Sequence, residues 1–232
     1  MSCRRNPSRL FLLTVLLVVF SSGRLASADI VAVFFTGFNP GLPPTGMDEL
    51  DARLANGFAA NHPALTYSSQ VFAYNERTEA FNFIDGFNDI DALFLAGHSW
   101  GGNALIRLAQ ELLLPAGIEV DMSFQIDSVD LFDSGLGDDV LPTNVKTGFN
   151  FFQIAGQFDL QGEMFVDGAI NINVEEFFND QPITHTTIDN YEPLHDLIYV
   201  YAESAVPEPG VTVVIGLGIM WVMMRRERAH RG

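Results

Sequence analysis

The sequence is poor in cysteine and in basic residues. Its 232 residues include one cysteine, Cys3, and 12 lysine and arginine residues against 29 aspartate and glutamate residues, so the formal net charge is −17. One cysteine cannot form an intramolecular disulfide, and Cys3 precedes the first apolar run, whereas the cysteine of a lipoprotein would have to follow it. Because an acidic surface repels phosphate groups, the composition also argues against nucleic acid and anionic lipid headgroups as partners.

The N-terminus is basic and apolar, unlike the acidic region that follows. Three arginines within the first nine residues precede the apolar run 10–20, and Ala26-Ser27-Ala28 follows as a small-residue cleavage site. This order is typical of a secretory signal peptide, here residues 1–28. Cleavage after its last residue would remove Cys3, so we expect no thiol chemistry in an exported domain that begins at Asp29.

The C-terminal region 206–232 combines a proline-rich spacer, an apolar segment and a basic end. Pro207-Glu208-Pro209 leads into residues 211–224, which carry no charge, and four arginines follow. We expect 211–224 to be a transmembrane segment with the arginines in the cytoplasm and the domain outside. Since this segment is short for a membrane span, an ordinary C-terminal helix packed on the domain is the alternative.

These three parts, in this order, resemble the PEP-CTERM sorting signal of Gram-negative bacteria. The resemblance implies that an exosortase processes the tail after export. It also implies that the mature protein is found at the cell surface or is released, with the membrane as a partner only before processing.

Residues 29–205 are enough for one domain with a full core and too few for two. Apolar runs of strand length alternate there with helical patterns, which predicts an α/β fold with a mostly parallel sheet covered by helices on both faces. The predicted strands are 30–35, 71–74, 92–96, 120–126, 149–154 and 170–174, and the predicted helices lie near 47–58, 80–87, 103–110 and 193–200.

The most informative motif is Gly97-His98-Ser99-Trp100-Gly101, a G-x-S-x-G sequence between a predicted strand and a predicted helix. A serine in such a sharp turn has strained backbone angles and needs small neighbours, which Gly97, Gly101 and Gly102 provide. We therefore predict that Ser99 is a nucleophile. The alternative is a glycine-rich turn in which Ser99 only caps the helix.

This arrangement resembles a compact α/β-hydrolase, a serine esterase or lipase-like enzyme without the first antiparallel strands and without a large lid domain. The resemblance implies the chain order serine, acid, histidine. His185 follows the last predicted strand, where the family keeps its base, and an imidazole can take the serine proton and return it to the leaving group near neutral pH. For the acid we favour Asp127, at the end of the strand after the elbow helix, with Asp159 after the next strand as the alternative.

The remaining histidines are expected to have structural roles. His98 occupies the position beside the nucleophile, from which a side chain usually points away, and we predict that it packs or forms a hydrogen bond. His195 falls within the final predicted helix and is expected to be packed or at the solvent edge. His62 follows a helix end and is expected to lie in a loop.

The same resemblance implies an oxyanion hole made by two backbone N–H groups, those of Trp100 after the nucleophile and of Phe38 after the first strand. Many relatives have His-Gly at the second place, where this chain has Thr36-Gly37, a departure from the family pattern. Phe34, Phe35, Phe38 and Trp100 could also line a pocket for an acyl group. Phenylalanine is frequent throughout the chain, however, so we expect most of them to belong to the core.

Aspartates are frequent within residues 127–139, and calcium favours sites with several carboxylates. Their spacing does not match the D-x-[DN]-x-[DN]-G loop, so we prefer a solvated acidic loop, while calcium binding stays open. We expect neither a resident metal nor a cofactor.

Together these features predict an exported serine hydrolase that forms an acyl-enzyme on Ser99 and acts on a small-molecule or lipid-like carboxylic ester. Two alternatives stay open. One is a non-catalytic surface or matrix-associated binding protein on a hydrolase scaffold, and the other is an acyltransferase or peptidase of the same fold. The sequence does not separate ester from thioester or amide substrates, because the same triad serves all of them.

Overall fold

The computed structural model describes residues 29–38, 45–130, 139–154, 161–179 and 182–206. The predicted signal peptide 1–28 and the predicted transmembrane segment 211–224 lie outside these ranges, so both stay predictions. Within the described residues, no helix is long and apolar enough to cross a membrane.

The fold is α/β, as the sequence predicts, with a parallel sheet at its centre. Within the described part of the chain the sheet has six strands in the order β2-β1-β3-β4-β5-β6, and each neighbouring pair is parallel. The strands are β1 (Asp29–Thr36), β2 (Thr66–Ala73), β3 (Ala92–His98), β4 (Val120–Ile126), β5 (Val145–Phe152) and β6 (Ile170–Asn173).

Helices connect the strands. They are α1 (Gly46–Asn61), α2 (Arg77–Asp85), α3 (Trp100–Leu108), α4 (Val174–Phe178) and α5 (Glu192–Ala205). A π-helical segment, Ala109–Leu113, and a short α-helical turn, Leu114–Ala116, continue α3, and a 3₁₀ helix, Ile188–Asn190, precedes α5.

The alternation of side chains along β1 explains why the sheet has helices on both faces. Ile30, Ala32 and Phe34 pack on one face in a cluster with residues of α1 and α5. Val31, Val33 and Phe35 point the other way and pack with residues of α2 and α3. Successive residues of a strand face opposite sides of a sheet, so an apolar run without alternation requires two apolar layers.

The expectation that most of the aromatic residues near Ser99 belong to the core is confirmed for the two in β1. Phe34 and Phe35 are 1% and 0% exposed and belong to these two core clusters, so neither lines a surface pocket for an acyl group. Their burial follows from the position of β1 between β2 and β3, where helices cover both faces.

The predicted strand and helix ends differ from the observed ones where polar residues enter the elements. β2 begins at Thr66 rather than at 71, because this edge strand exposes polar side chains that carry no apolar signal. β5 spans Val145–Phe152 rather than 149–154. β6 is expected to continue to residue 174 but ends at Asn173, and α4 begins at the next residue. The side chain of Asn173 caps this helix, because it accepts hydrogen bonds from the N–H groups of Glu175 and Glu176.

The last described residue belongs to the domain core. Val206 follows α5, is 8% exposed and packs in the cluster that includes α1 and α5. Of the tail expected at 206–232, only this first residue is described, and the boundary stays a prediction.

The parallel arrangement determines where a site can form. All six strands point in one direction, so the segments that follow β1, β3, β4, β5 and β6 lie at the same edge of the sheet. Ligand sites of open α/β sheets lie at this carboxyl edge. Ser99, Asp127 and His185 each follow one of these strands.

Candidate active site

Ser99 lies in a strained turn between β3 and α3. Its backbone has φ 56° and ψ −125°, a conformation that costs a residue with a side chain about 1 to 3 kcal/mol. Three backbone hydrogen bonds hold the turn. The N–H of Ser99 donates to the carbonyl of Ile126 at 3.0 Å, and the carbonyl of Ser99 accepts from the N–H groups of Gly102 at 2.9 Å and Val129 at 3.1 Å.

Ser99 does not cap α3 with its side chain. It occupies the N-cap position, but it makes no side-chain capping bond. Its Oγ is instead 2.8 Å from Nε2 of His185. This contact argues against the alternative in which the serine only caps the helix.

The glycines of the motif allow the strand and the helix to approach each other closely. A Cβ atom on Gly97 would collide with the backbone of Gly101, and a Cβ atom on Gly101 would collide with the backbone carbonyl of Phe35. A larger residue at Gly97 would therefore push α3 away from β3, and a larger residue at Gly101 would push α3 away from β1.

His185 connects Ser99 to Asp127. Its Nδ1 is 2.7 Å from Oδ2 of Asp127, and its side chain is buried. Because a carboxylate only accepts hydrogen bonds, Nδ1 of His185 carries the hydrogen in this pair. Nε2 then has a lone pair and accepts the hydrogen of the Ser99 hydroxyl, so the imidazole is in the tautomer that a general base requires.

Asp127 is fully buried and accepts three hydrogen bonds. Besides His185, Oδ2 accepts from Nε2 of Gln153 at 3.1 Å, and Oδ1 accepts from the N–H of Gly162 at 3.1 Å. Hydrogen bonds to a charged acceptor are the strong ones, and three of them compensate for the loss of water around this carboxylate.

Asp127 is also strained, with φ 45°. Among the described residues other than glycine, only Ser99, Asp127 and Asn179 have positive φ. Two of these three carry the hydrogen-bonded chain at the carboxyl edge. Strained backbone concentrates at functional sites, where the surrounding structure holds it in place.

The sequence did not predict the two residues that assist Asp127. Gln153 directly follows β5 and is a buried amide at the end of an apolar run, which is the signal that was available. Gly162 lies against Asp127. A Cβ atom on Gly162 would be 2.7 Å from the backbone carbonyl oxygen of Asp127 and 2.7 Å from its Oδ1. The alternative acid, Asp159, lies outside the described residues, and Nδ1 of His185 is already engaged by Asp127.

The segments with the two predicted oxyanion donors, Trp100 and Phe38, both lie next to Ser99. A Cβ atom on Gly37 would be 2.8 Å from Cβ and 3.4 Å from Oγ of Ser99, so the chain that leads into Phe38 runs beside the serine. The ring of Trp100 contacts those of Phe38 and Tyr74, with centroids 5.0 and 4.8 Å apart. Phe38 is 64% exposed, so these aromatic rings form an apolar wall next to Ser99 that solvent can reach.

His98 packs, as predicted, but it also contacts the segment that carries His185. Its Nε2 is 2.8 Å from the backbone oxygen of His185, and its Nδ1 is 3.4 Å from Oδ2 of Asp189. Burial lowers the pKa of His98 and outweighs the opposite effect of the nearby Asp189 carboxylate.

The two other histidines lie in α5 and at the end of α1. His195 is buried, and its Nε2 donates to the backbone oxygen of Asp189 at 2.6 Å. Burial also lowers the pKa of His195. His62, the residue after α1, lies 3.0 Å from Glu203 on α5, outside the hydrogen-bonded chain of Ser99.

No group of three or more His, Cys, Asp or Glu side chains is arranged to hold a metal ion within the ranges that the structure describes. Residues 131–138, which include Asp133 and Asp138, lie outside those ranges, so the calcium alternative is not decided. The carboxylate of Asp127 is already occupied by three donors.

Neither models of protein families nor curated proteins match this chain.

The buried histidines predict how stability depends on pH. His98 and His195 have pKa values below the ordinary value of 6.5, so the unfolded chain binds protons below about pH 6.5 that the folded chain does not bind. Stability should be complete above that pH and should decrease as the pH falls below it. We expect the urea midpoint to be lower at pH 5.5 than at pH 7.5, and His195→Gln to reduce this difference. An unchanged difference in the variant would contradict the assignment to His195.

Proposed function

We propose that this chain is a serine hydrolase of the α/β-hydrolase type that cleaves carboxylic esters through an acyl-enzyme on Ser99. The observation that carries the proposal is the hydrogen-bonded chain from Oγ of Ser99 through the His185 imidazole to the buried carboxylate of Asp127. A serine, a base and an orienting acid in this geometry form a catalytic triad.

In the first half of the proposed reaction, Oγ of Ser99 attacks the ester carbonyl carbon while its proton moves to Nε2 of His185. The resulting imidazolium is stabilised by Asp127, which stays ionised. The tetrahedral intermediate then loses the alkoxide, which takes the proton from Nε2 and leaves as the alcohol. The acyl group remains bound to Ser99.

In the second half, water attacks the acyl-enzyme. His185 takes a proton from the water and returns it to Oγ of Ser99 as the carboxylic acid leaves. Both halves use the same three side chains, so the proposed reaction requires no metal ion or cofactor.

The negative charge on the carbonyl oxygen needs donors that are in place beforehand. We assign this role to the backbone N–H groups of Trp100 and Phe38. Trp100 is the first residue of α3, where the helix dipole favours negative charge. The close approach of Gly37 to Ser99 supports Phe38 as the second donor, since its N–H belongs to the same peptide unit as the carbonyl of Gly37.

The topology supports the finer assignment to a compact α/β-hydrolase. Ser99 follows β3, Asp127 follows β4 and His185 follows β6, which is the chain order serine, acid, histidine that the resemblance implies. The acid follows the strand directly after the elbow helix, a position used in some lipases. A non-catalytic binding protein on this scaffold would not need Asp127 and His185 in contact.

The apolar wall of Tyr74, Trp100 and Phe38 favours a small-molecule or lipid-like ester as the substrate. Each cationic side chain of the described domain forms an ion pair with an acidic side chain. The four are Arg53, Arg77, Arg107 and Lys146. None of these contacts involves Ser99 or its neighbours, so the site suits an uncharged acyl group better than an anionic one.

The first prediction of this proposal concerns the nucleophile. Ser99→Ala should reduce hydrolysis of a short p-nitrophenyl ester by about 10⁶-fold and abolish labelling by a fluorophosphonate probe. The melting temperature should change little, because the Ser99 side chain makes no cap of α3. Ser204→Ala, which removes an exposed hydroxyl from α5, is the control and should keep full activity. Full activity in Ser99→Ala would remove the enzymatic assignment.

The second prediction concerns the acid. Asp127→Asn should lower kcat by about 10⁴-fold, because an amide cannot keep the hydrogen on Nδ1 of His185 or stabilise the imidazolium. Asp159→Asn is the matched control and should stay close to wild type. If Asp159→Asn is the impaired variant and Asp127→Asn is not, the acid has been assigned to the wrong residue.

The third prediction concerns location. We propose that the protein is exported, that an exosortase-type enzyme removes residues 211–224, and that the product is at the cell surface or released. Mass spectrometry of the native protein should then find a shortened C-terminus. Truncation after Val206, which preserves this buried residue, should give a soluble domain with full activity. An intact C-terminus on a soluble product, or loss of folding on truncation, would mean that the segment is a packed helix.

A further inference from the structure

The side chain of His98 takes no part in the proton transfer proposed for Ser99, yet it bonds to the backbone of the base. Its Nε2 lies 2.8 Å from the carbonyl oxygen of His185. The rings of His98 and His185 are also packed together, with centroids 4.8 Å apart. His98 is 9% exposed, so this hydrogen bond forms away from bulk water, where losing it leaves a buried acceptor unsatisfied.

The segment 183–190 carries His185 as a compact unit. Inside it, the carbonyl of Thr184 accepts from the N–H groups of Thr187 at 3.0 Å and Ile188 at 2.9 Å. The apolar side chains of Ile183 and Ile188 anchor the unit in the core. Polar contacts tie it to the body through His98, at the carbonyl of His185, and through His195, at the carbonyl of Asp189.

The hydrogen bond defines the tautomer of His98. A carbonyl oxygen only accepts, so the hydrogen of a neutral His98 is on Nε2, while Nδ1 lies 3.4 Å from Oδ2 of Asp189. The charged or titratable groups that act on His98 are Asp189 on the 3₁₀ helix, His185 on its own segment and Asp127 after β4. Burial is the largest influence on the pKa of His98 and lowers it, which favours the neutral form.

A neutral donor suits this position for an electrostatic reason. During the proposed reaction His185 becomes an imidazolium while its ring lies against that of His98. A second positive charge at that separation would oppose the proton transfer, whereas a neutral N–H group holds the segment without repelling the new charge.

We propose that His98 is a positioning residue, whose neutral Nε2–H holds the carbonyl of His185 so that the imidazole stays between Ser99 and Asp127. The inference rests on the proposed function for its effect on catalysis. The position of the His185 ring can also be measured without a substrate, so the two proposals can fail separately.

The test compares His98→Leu, which removes the donor, with His98→Gln, whose amide N–H can replace it. His98→Leu should lower kcat for a short p-nitrophenyl ester by about 10²-fold with KM almost unchanged, because a small misplacement of the base acts on the chemical step. His98→Gln should recover most of kcat. His62→Leu removes a histidine bonded to Glu203, far from Ser99, and should leave kcat unchanged.

A spectroscopic measurement separates positioning from general destabilisation. The hydrogen on Nδ1 of His185 is hydrogen-bonded to Asp127 and should give a low-field NMR resonance. This resonance should be present in wild type and in His98→Gln. It should broaden or move upfield in His98→Leu at a temperature where circular dichroism shows that variant folded. An unchanged resonance together with an unchanged kcat in His98→Leu would overturn the proposal.

Asp189→Asn tests whether His98 works as a neutral group. The amide introduced at position 189 can donate to Nδ1 of His98 and so keep the His98 hydrogen on Nε2. We therefore expect kcat to be retained. A loss as large as that of His98→Leu would show that His98 acts as a charged partner of Asp189, which would overturn the proposal. If wild type is neither labelled nor active, the proposed function fails, while the His185 resonance still decides whether His98 positions the ring.

Discussion

The arrangement of the site depends on the buried carboxylate of Asp127. A charge without solvent must be matched by hydrogen-bond donors, since an uncompensated buried charge costs several kcal/mol. Asp127 obtains its donors from three segments that are distant in the sequence, at His185, Gln153 and Gly162. Satisfying this one carboxylate therefore brings the chain after β4 together with the chain after β5 and the segment after β6. The position of His185 against Ser99 follows from that convergence.

The strained turns after β3 and β4 support each other. Ser99 and Asp127 both have positive φ, and the N–H of Ser99 bonds to the carbonyl of Ile126, the residue just before Asp127. The parallel pairing of His98 with Ile126 fixes both strand ends. Neither turn can relax to a common conformation without breaking hydrogen bonds between strands, so the sheet holds the strain at the two residues that carry the proposed nucleophile and acid.

The sequence predicted the features that depend on local pattern or on chain order. Alternating apolar runs and helical patterns were enough for the α/β class, and the motif around Ser99 identified the turn. The chain order that the α/β-hydrolase resemblance implies selected His185. The choice between Asp127 and Asp159 depends on which carboxylate lies next to His185. Asp127 and His185 are 58 residues apart, and spacing in the sequence does not give the distance between their side chains. Gln153 and Gly162 were missed for the same reason, and the start of β2 was missed because an edge strand needs few apolar residues. The export signal and the tail stay predictions from composition.

The contact between His98 and His185 could have been found from alternation along β3. Ala92, Phe94 and Ala96 point to the face of the sheet that holds α1, α5 and the two isoleucines that anchor the segment of His185. His98 continues that alternation, so its side chain is directed to the segment that carries the base, while the next residue provides the nucleophile. Two consecutive residues at the end of one central strand therefore act on both partners of the proposed proton transfer. A shift of β3 relative to its neighbours would displace Ser99 and release His185 together. β3 lies between β1 and β4 and is buried along its whole length, so the sheet opposes such a shift.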